Sequence, residues 1–132
     1  MTWPTASLAR LAQQGYLSVL STPAQKQSAQ SKNAQWQRKL VNQTPSFLVR
    51  YDLLFRQMTQ RLIMDGYDFS SLHPHQTLKK LLLMLDTPLS DYELTHLIEC
   101  RHNVKYGFMD EATSEAQHSL AQLTQFLSNI NP

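Results

Sequence analysis

The chain has 132 residues, of which 17% are charged and one is a cysteine, and its formal net charge is +2. This length is enough to bury one core, Cys100 has no internal disulfide partner, and no apolar run reaches the roughly 18–20 residues that cross a bilayer. These properties argue against a disulfide-stabilised or membrane-spanning protein and predict one compact domain in a reducing, cytoplasmic setting. Polar residues interrupt every apolar run in residues 1–20, so we expect no secretory signal there.

The basic residues are concentrated towards the N-terminus. Residues 1–46 contain five basic residues and no Asp or Glu, whereas the remainder contains seven basic and ten acidic residues, so the two parts carry +5 and −3. The five basic residues are Arg10, Lys26, Lys32, Arg38 and Lys39. Such an asymmetry can steer a polyanion to one end of a protein, although a solvated polar arm explains it equally well.

The first predicted element is a helix over about residues 7–20. Its apolar side chains recur at helical spacing and are Leu8, Leu11, Ala12, Tyr16 and Val19. Thr5 or Ser7 is a suitable N-cap, and Pro23 marks the end of this helix. Residues 21–43 are rich in Gln and poor in large apolar side chains, so we interpret them as either a mobile connection or a marginal helix.

Residues 44–132 are predicted to form four further helices. The first follows a start signal at residues 44–46, and its apolar side chains recur at helical spacing up to Gly66. They are Phe47, Tyr51, Leu54, Met58 and Leu62. The second helix is leucine-rich, has Pro74 in its first turn and ends before Pro88.

The last two predicted helices each open with a capping pattern. Ser90 and Glu93 form a capping box at the start of one helix, which ends at Gly107. Ser114 to Gln117 repeats the pattern before the final helix. The apolar stripe of this helix consists of Ala116, Leu120, Leu123, Leu127 and Ile130.

These elements predict an all-α fold, an antiparallel helical bundle of four to five helices. Within one compact domain, residues 1–43 supply an N-terminal helix and a basic Gln-rich segment, and residues 44–132 supply the helical core. The chain has only three glycines. Runs of β-branched residues are absent, which argues against a sheet-rich domain.

Arg101 is predicted to lie on the buried stripe of its helix, one turn beyond Leu97 and Ile98. A guanidinium is costly to desolvate unless carboxylate, phosphate or carbonyl groups accept its donors. An inward arginine therefore indicates an ion pair, a subunit interface or an anion site. The structural alternative is a salt bridge to an acid such as Asp52 on another helix, or a side chain that extends to solvent.

Three further polar side chains follow Arg101 within two helical turns. A histidine such as His102 can act as a general base near neutral pH, and the amide of Asn103 can hold a ribose or phosphate oxygen. Tyr106 completes the cluster. These residues, with Arg101 and Lys105, are the candidate ligand-binding residues.

No metal or cofactor site is predicted. His73 and His75 have poor helical spacing for metal ligands, and no cluster of Cys or acidic residues accompanies them. We therefore interpret His75 as a polar residue of the first helical turn. The motifs GxGxxG, GxSxG and HExxH and a phosphate-binding P-loop do not occur.

Three segments in order resemble the HEPN superfamily, all-helical domains named for nucleotide binding in higher eukaryotes and prokaryotes. They are an apolar helix that ends at a DGY turn (SFLVRYDLLFRQMTQRLIMDGYDF), a histidine before a leucine-rich helix (LHPHQTLKKLLLML), and a helix that ends in an arginine, polar residues and Tyr-Gly (LIECRHNVKYGF). The resemblance covers about residues 44–130. It implies a helical core that dimerises around a cleft.

Active HEPN domains are metal-independent ribonucleases with a motif of an arginine, a polar residue directly after it, and a histidine four residues after the polar one. The arginine stabilises phosphate charge and the histidine transfers protons. The resemblance assigns the arginine to Arg101, the polar position to His102 and the histidine position to Tyr106. Catalysis would then use Arg101, His102 and Tyr106. Because a tyrosine replaces the histidine, the resemblance favours a catalytically degenerate module.

Such a module is expected to form a homodimer and to bind RNA, a nucleotide or a partner protein at its cleft. The resemblance also implies a nucleotidyltransferase-type partner and a toxin–antitoxin or phage-defence context. We expect no cofactor, and the lack of long apolar runs argues against a membrane partner. Two alternatives are an active metal-independent endoribonuclease and a purely structural interaction bundle. In the second alternative, the basic Gln-rich segment docks a partner and Arg101 forms a structural salt bridge.

Overall fold

A computed structural model describes residues 3–130, apart from the side chains of residues 5 and 130. Within that range it is an all-α helical bundle, as predicted, and it adds one small two-stranded sheet that was not predicted. The elements are α1 (Thr5–Gln13), β1 (Leu17–Val19), α2 (Pro23–Val41), α3 (Phe47–Met64), β2 (Tyr67–Phe69), α4 (Pro74–Met84), α5 (Asp91–Lys105) and α6 (Ser114–Ile130). The described part thus has six helices rather than four to five. No helix in it has the length and apolarity needed to cross a bilayer.

The first helix is shorter than predicted, because Gly15 ends it. Gly15 has φ +87°, a left-handed conformation that suits glycine. The Tyr16 amide bonds the Leu11 carbonyl at 2.9 Å and the Gly15 amide bonds the Ala12 carbonyl at 3.0 Å, which is a Schellman motif. The predicted extension of this helix to residue 20 is wrong, since residues 17–19 form β1.

The helix start was also predicted wrongly. Pro4 occupies the N-cap of α1, so Thr5 and Ser7 both lie inside the helix. The strand β1 then pairs antiparallel with β2, and the aligned residue pairs are Leu17 with Phe69, Ser18 with Asp68, and Val19 with Tyr67. This ladder ties the N-terminal segment to the turn after α3.

Residues 23–41 form a helix, so the second of the two interpretations of this segment is correct. Thr22 and Gln25 make a capping box, and Pro23 occupies the first turn, so Pro23 begins α2 and does not merely end α1. Helix α2 packs against α3. The Asn33 side chain donates to the Arg56 carbonyl at 3.0 Å, and Leu40 is buried.

One hydrophobic cluster joins side chains of α1, β1, α3, α4, α5 and α6. It includes Trp3, Leu8, Tyr51, Met58, Leu82, Leu97 and Leu123. Of the predicted α6 stripe, Ala116, Leu120, Leu123 and Leu127 are buried, whereas the side chain of Ile130 lies outside the described residues. The cap of α6 is Thr113, not Ser114, because the Thr113 hydroxyl accepts the Ala116 amide at 3.1 Å.

Helix α5 has the predicted ends. The Ser90 hydroxyl accepts the Glu93 amide at 3.1 Å, and the Glu93 carboxylate accepts the Ser90 amide at 3.0 Å. At the other end, Gly107 has φ +81° and the Phe108 amide bonds the Asn103 carbonyl at 2.8 Å. These two capping motifs define where the helix that carries Arg101 begins and ends.

Candidate functional site

Arg101, His75 and Tyr51 form a chain of polar contacts that joins α5, α4 and α3. Nη1 of Arg101 lies 3.1 Å from Nε2 of His75, and Nδ1 of His75 lies 3.0 Å from Oη of Tyr51. The guanidinium carbon of Arg101 is 5.3 Å from the centroid of the Tyr51 ring. Tyr51 is completely buried, so this chain leads from the core to the surface.

The contact with Arg101 defines the protonation state of His75. A guanidinium only donates hydrogen bonds, so Nε2 of His75 must accept through its lone pair. Nδ1 therefore carries the ring proton and donates to the Tyr51 oxygen. Burial, and then the positive charges of Arg101 and Lys105, lower the pKa of His75 from 6.5 to about 4. His75 is thus neutral at pH 7.

The hydroxyl of Tyr51 is also neutral at pH 7. Burial raises its pKa well above the ordinary value, and the opposing effect of Arg101 is smaller. Neither the imidazole nor the phenol titrates near neutral pH. The charge beside the neutral His75 and Tyr51 side chains therefore comes from the Arg101 guanidinium.

Arg101 also contacts Asp52 on α3. Nη2 of Arg101 lies 3.5 Å from Oδ1 of Asp52, so the predicted ion pair is confirmed. The Arg101 side chain is 11% exposed and that of Asp52 is 40% exposed, and a pair with such an exposed carboxylate is weak. Nε of Arg101 is buried and has no hydrogen-bond partner among the described residues. The guanidinium therefore keeps an unused donor.

Two cavities open on either side of the His75–Arg101 contact. The first has a volume of about 610 Å³ and is also lined by His102 and Asn103. The second has a volume of about 470 Å³ and is also lined by Lys105. Both volumes lie in the range of small-molecule sites, and His75 and Arg101 belong to both walls.

The predicted site residues are therefore distributed over two surfaces. Arg101 lies at the centre, His102 and Asn103 face the first cavity, and Lys105 faces the second. Tyr106 lines neither cavity and is 59% exposed at the end of α5. Its ring centroid is 4.8 Å from that of His102, so the two rings form a small aromatic surface beside the first cavity.

His75 is the site residue that the sequence interpretation missed. It lies in the first turn of α4, as expected, but its ring packs between Phe55, at 5.2 Å between centroids, and Tyr51, at 5.6 Å. His73, at the N-cap, has the left-handed φ of 45° and is followed by Pro74. The only local signal was a histidine next to a rigid helix start, which does not indicate its partner on α5.

The described residues offer no cluster of three or more His, Cys, Asp or Glu side chains that could hold a metal ion. Comparisons of the chain with protein-family models, curated protein sequences and solved structures found no significant match. The residues of the site therefore carry the functional interpretation.

Proposed function

We propose that this protein is a HEPN-like helical module that binds a phosphate group of RNA or of a nucleotide at Arg101. The observation that carries the proposal is the placement of Arg101, which lines both cavities. An arginine fork matches the oxygens of a phosphate in a bidentate contact.

The neighbours of Arg101 support anion binding. The contact to His75 is a hydrogen bond to a neutral ring, and the contact to Asp52 is 3.5 Å long. A phosphate can replace either partner and accept charge-assisted bonds, which are about twice as strong as bonds between neutral groups. Lys105 adds a second positive charge at the wall of the second cavity.

The same geometry favours binding over catalysis. A general base works best when its pKa is close to the operating pH. His75, with a pKa of about 4, and Tyr51, with a raised pKa, both lie far from neutrality. Tyr106 lies outside both cavities, and His102, the residue after Arg101, points about 100° around the helix from it, so neither takes the place of the absent histidine of the HEPN motif.

We expect Arg101→Ala to weaken binding of a mixed-sequence single-stranded RNA hexamer by about tenfold. A hydrogen bond to a charged group contributes about 1.5–3 kcal/mol, and about 1.4 kcal/mol corresponds to a tenfold change in affinity. Fluorescence anisotropy of labelled RNA at constant salt measures the dissociation constant, and thermal unfolding shows whether the variant is folded.

The matched control is Arg50→Ala, because it removes the same charge from an exposed position of α3 that lines neither cavity. Equal losses in both variants would mean that binding is a general electrostatic effect. RNA binding unchanged by Arg101→Ala, or absent in the wild type, would contradict the proposal and leave the Asp52 contact as a structural ion pair in an interaction bundle.

A metal-independent endoribonuclease is the second candidate function, because the structure brings His75 within 3.1 Å of Arg101. His75 would then replace the imidazole that the Tyr106 position lacks. We nevertheless expect wild-type protein to leave an RNA pool intact in EDTA, since the lone pair of His75 is engaged by Arg101. Cleavage that falls about a hundredfold in Arg101→Ala and His75→Gln, but persists in Tyr106→Phe, would establish the enzyme.

The homodimer and a nucleotidyltransferase-type partner, in a cytoplasmic toxin–antitoxin or defence setting, belong to the same proposal. The exposed end of α5 supports an interface, because Tyr106 and Phe108 are 59% and 73% exposed there. Such aromatic side chains are enriched in protein interfaces. An interface at this position would bring the first cavities of two subunits close together.

A further inference from the structure

The wall of the second cavity combines an exposed tryptophan with charged groups of both signs. Trp36 on α2 is 51% exposed, which is high for this side chain, and it lines the cavity with Arg56, Asp68 and Arg101. Lys39 Nζ lies 5.2 Å from the Trp36 ring centroid, and Arg56 Cζ lies 5.5 Å from it. The α2 helix thereby brings an aromatic platform to the phosphate site.

The interior of this cavity is aromatic. Phe55 on α3 stacks on Phe69 on β2 with 4.5 Å between ring centroids, and both residues line the cavity. Phe55 also contacts the ring of His75 at 5.2 Å. The guanidinium carbon of Arg56 lies 5.4 Å from the Phe55 centroid and 5.5 Å from that of Trp36, so a flat ligand that stacks on Trp36 shares this cavity with the Arg56 side chain.

The polar groups determine what kind of flat ligand fits. Asp68 offers a carboxylate that accepts hydrogen bonds, and Arg56 offers a guanidinium that donates them. Burial raises the pKa of Asp68 and lowers the pKa of Arg56, so both groups are partly desolvated. An anionic group placed directly beside Asp68 would be repelled by its carboxylate, whereas a ligand with a polar edge can bond both Asp68 and Arg56.

We propose that this cavity binds one nucleobase of a single-stranded RNA whose adjacent phosphate contacts Arg101, with the base stacked on Trp36. A base has an aromatic face together with donors and acceptors on its edge, and it is joined to a phosphate. Trp36 offers a surface for the aromatic face, Arg56 and Asp68 offer partners for the edge, and Arg101 offers donors for the phosphate. This inference rests on the proposed function, since it uses the same phosphate.

Trp36 provides its own optical signal. The chain has two tryptophans, and the other one, Trp3, is 4% exposed and donates from Nε1 to Asp65 at 2.6 Å. We expect a mixed-sequence RNA hexamer to quench the fluorescence of the wild type but not that of Trp36→Phe. A mixture of nucleoside 5′-monophosphates as a second probe shows whether a free nucleotide is enough.

Affinity measurements separate the base from the phosphate. We expect Trp36→Ala to weaken hexamer binding by at least about fivefold, because stacking of one base on an aromatic side chain has effects of this size or larger. Binding of a hexamer with abasic residues, which keeps every phosphate, is expected to stay unchanged in this variant. Trp36 is exposed on α2, so the substitution leaves the core intact.

Tyr92→Ala is the matched control, because Tyr92 is 75% exposed and lines neither cavity. RNA binding that depends on Arg101 but not on Trp36, without quenching, would overturn the base site and leave the phosphate site intact. An equal loss for the intact and abasic hexamers in Trp36→Ala would also overturn it. No Arg101-dependent binding to any probe would overturn the proposed function itself.

Discussion

We expect Tyr51→Ala to lower the free energy of unfolding by about 3–5 kcal/mol, the usual cost of truncating a large buried aromatic side chain. Tyr51 is completely buried and belongs to the main hydrophobic cluster. Its ring also lies under the guanidinium of Arg101, at 5.3 Å. The substitution therefore opens a cavity in the core and removes the surface on which the site is built.

The milder variant Tyr51→Phe separates these two roles. It keeps the ring and removes only the hydroxyl that accepts from His75, at 3.0 Å in the wild type. We expect a loss of about 1 kcal/mol, the typical net value of a hydrogen bond. Urea unfolding of the wild type and of both variants at pH 7, monitored by far-UV circular dichroism, gives the two changes in the free energy of unfolding. Equal losses would show that the ring contributes nothing beyond the hydrogen bond, contrary to its burial.

The second half of the chain was predictable because its signals are local. The apolar spacing of α3 and α6, the capping box at Ser90 and Glu93 and the left-handed Gly107 each act within one or two helical turns. The Asp52–Arg101 ion pair was predictable for a related reason. A buried arginine needs an acceptor, and Asp52 follows the buried Tyr51 on α3.

The N-terminal part was harder to predict, because tertiary contacts override its local pattern. Tyr16 and Val19 continue the helical spacing of α1, but the left-handed Gly15 ends the helix and pairing with β2 draws residues 17–19 into a strand. The composition of residues 23–41 indicates a marginal helix. Its stability depends on contacts with α3 such as Asn33 to the Arg56 carbonyl, which no local window contains.

The site itself was predicted only in part. Helical spacing placed Arg101 on an inward face, but the position of His75 depends on how α4 packs against α3 and α5. Trp36 lies in the Gln-rich segment, where its sequence neighbours do not mark it as a site residue. Its place in the second cavity follows from the docking of α2, for which the sequence shows no specific signal.

We expect the wild type to lose about 1–2 kcal/mol more stability than His75→Gln when the pH falls from 7 to 4.5. The pKa of His75 is about 4 in the folded protein and 6.5 in the unfolded chain. Below pH 6.5 the unfolded chain binds the proton first, so acidification favours unfolding until the folded protein also protonates near pH 4. Because the His75 ring is only half-buried, solvent screening limits the difference in the free energy of unfolding to about 1–2 kcal/mol.

His75→Gln is the matched variant because an amide can accept from Arg101 and donate to Tyr51 without titrating. The two proteins differ only at residue 75, so the difference between their urea midpoints isolates His75. A difference that is constant from pH 7 to 4.5 would show that His75 has an ordinary pKa and accepts no hydrogen bond from Arg101. A difference that grows below pH 6.5 would support a neutral His75 that accepts the hydrogen bond from Arg101.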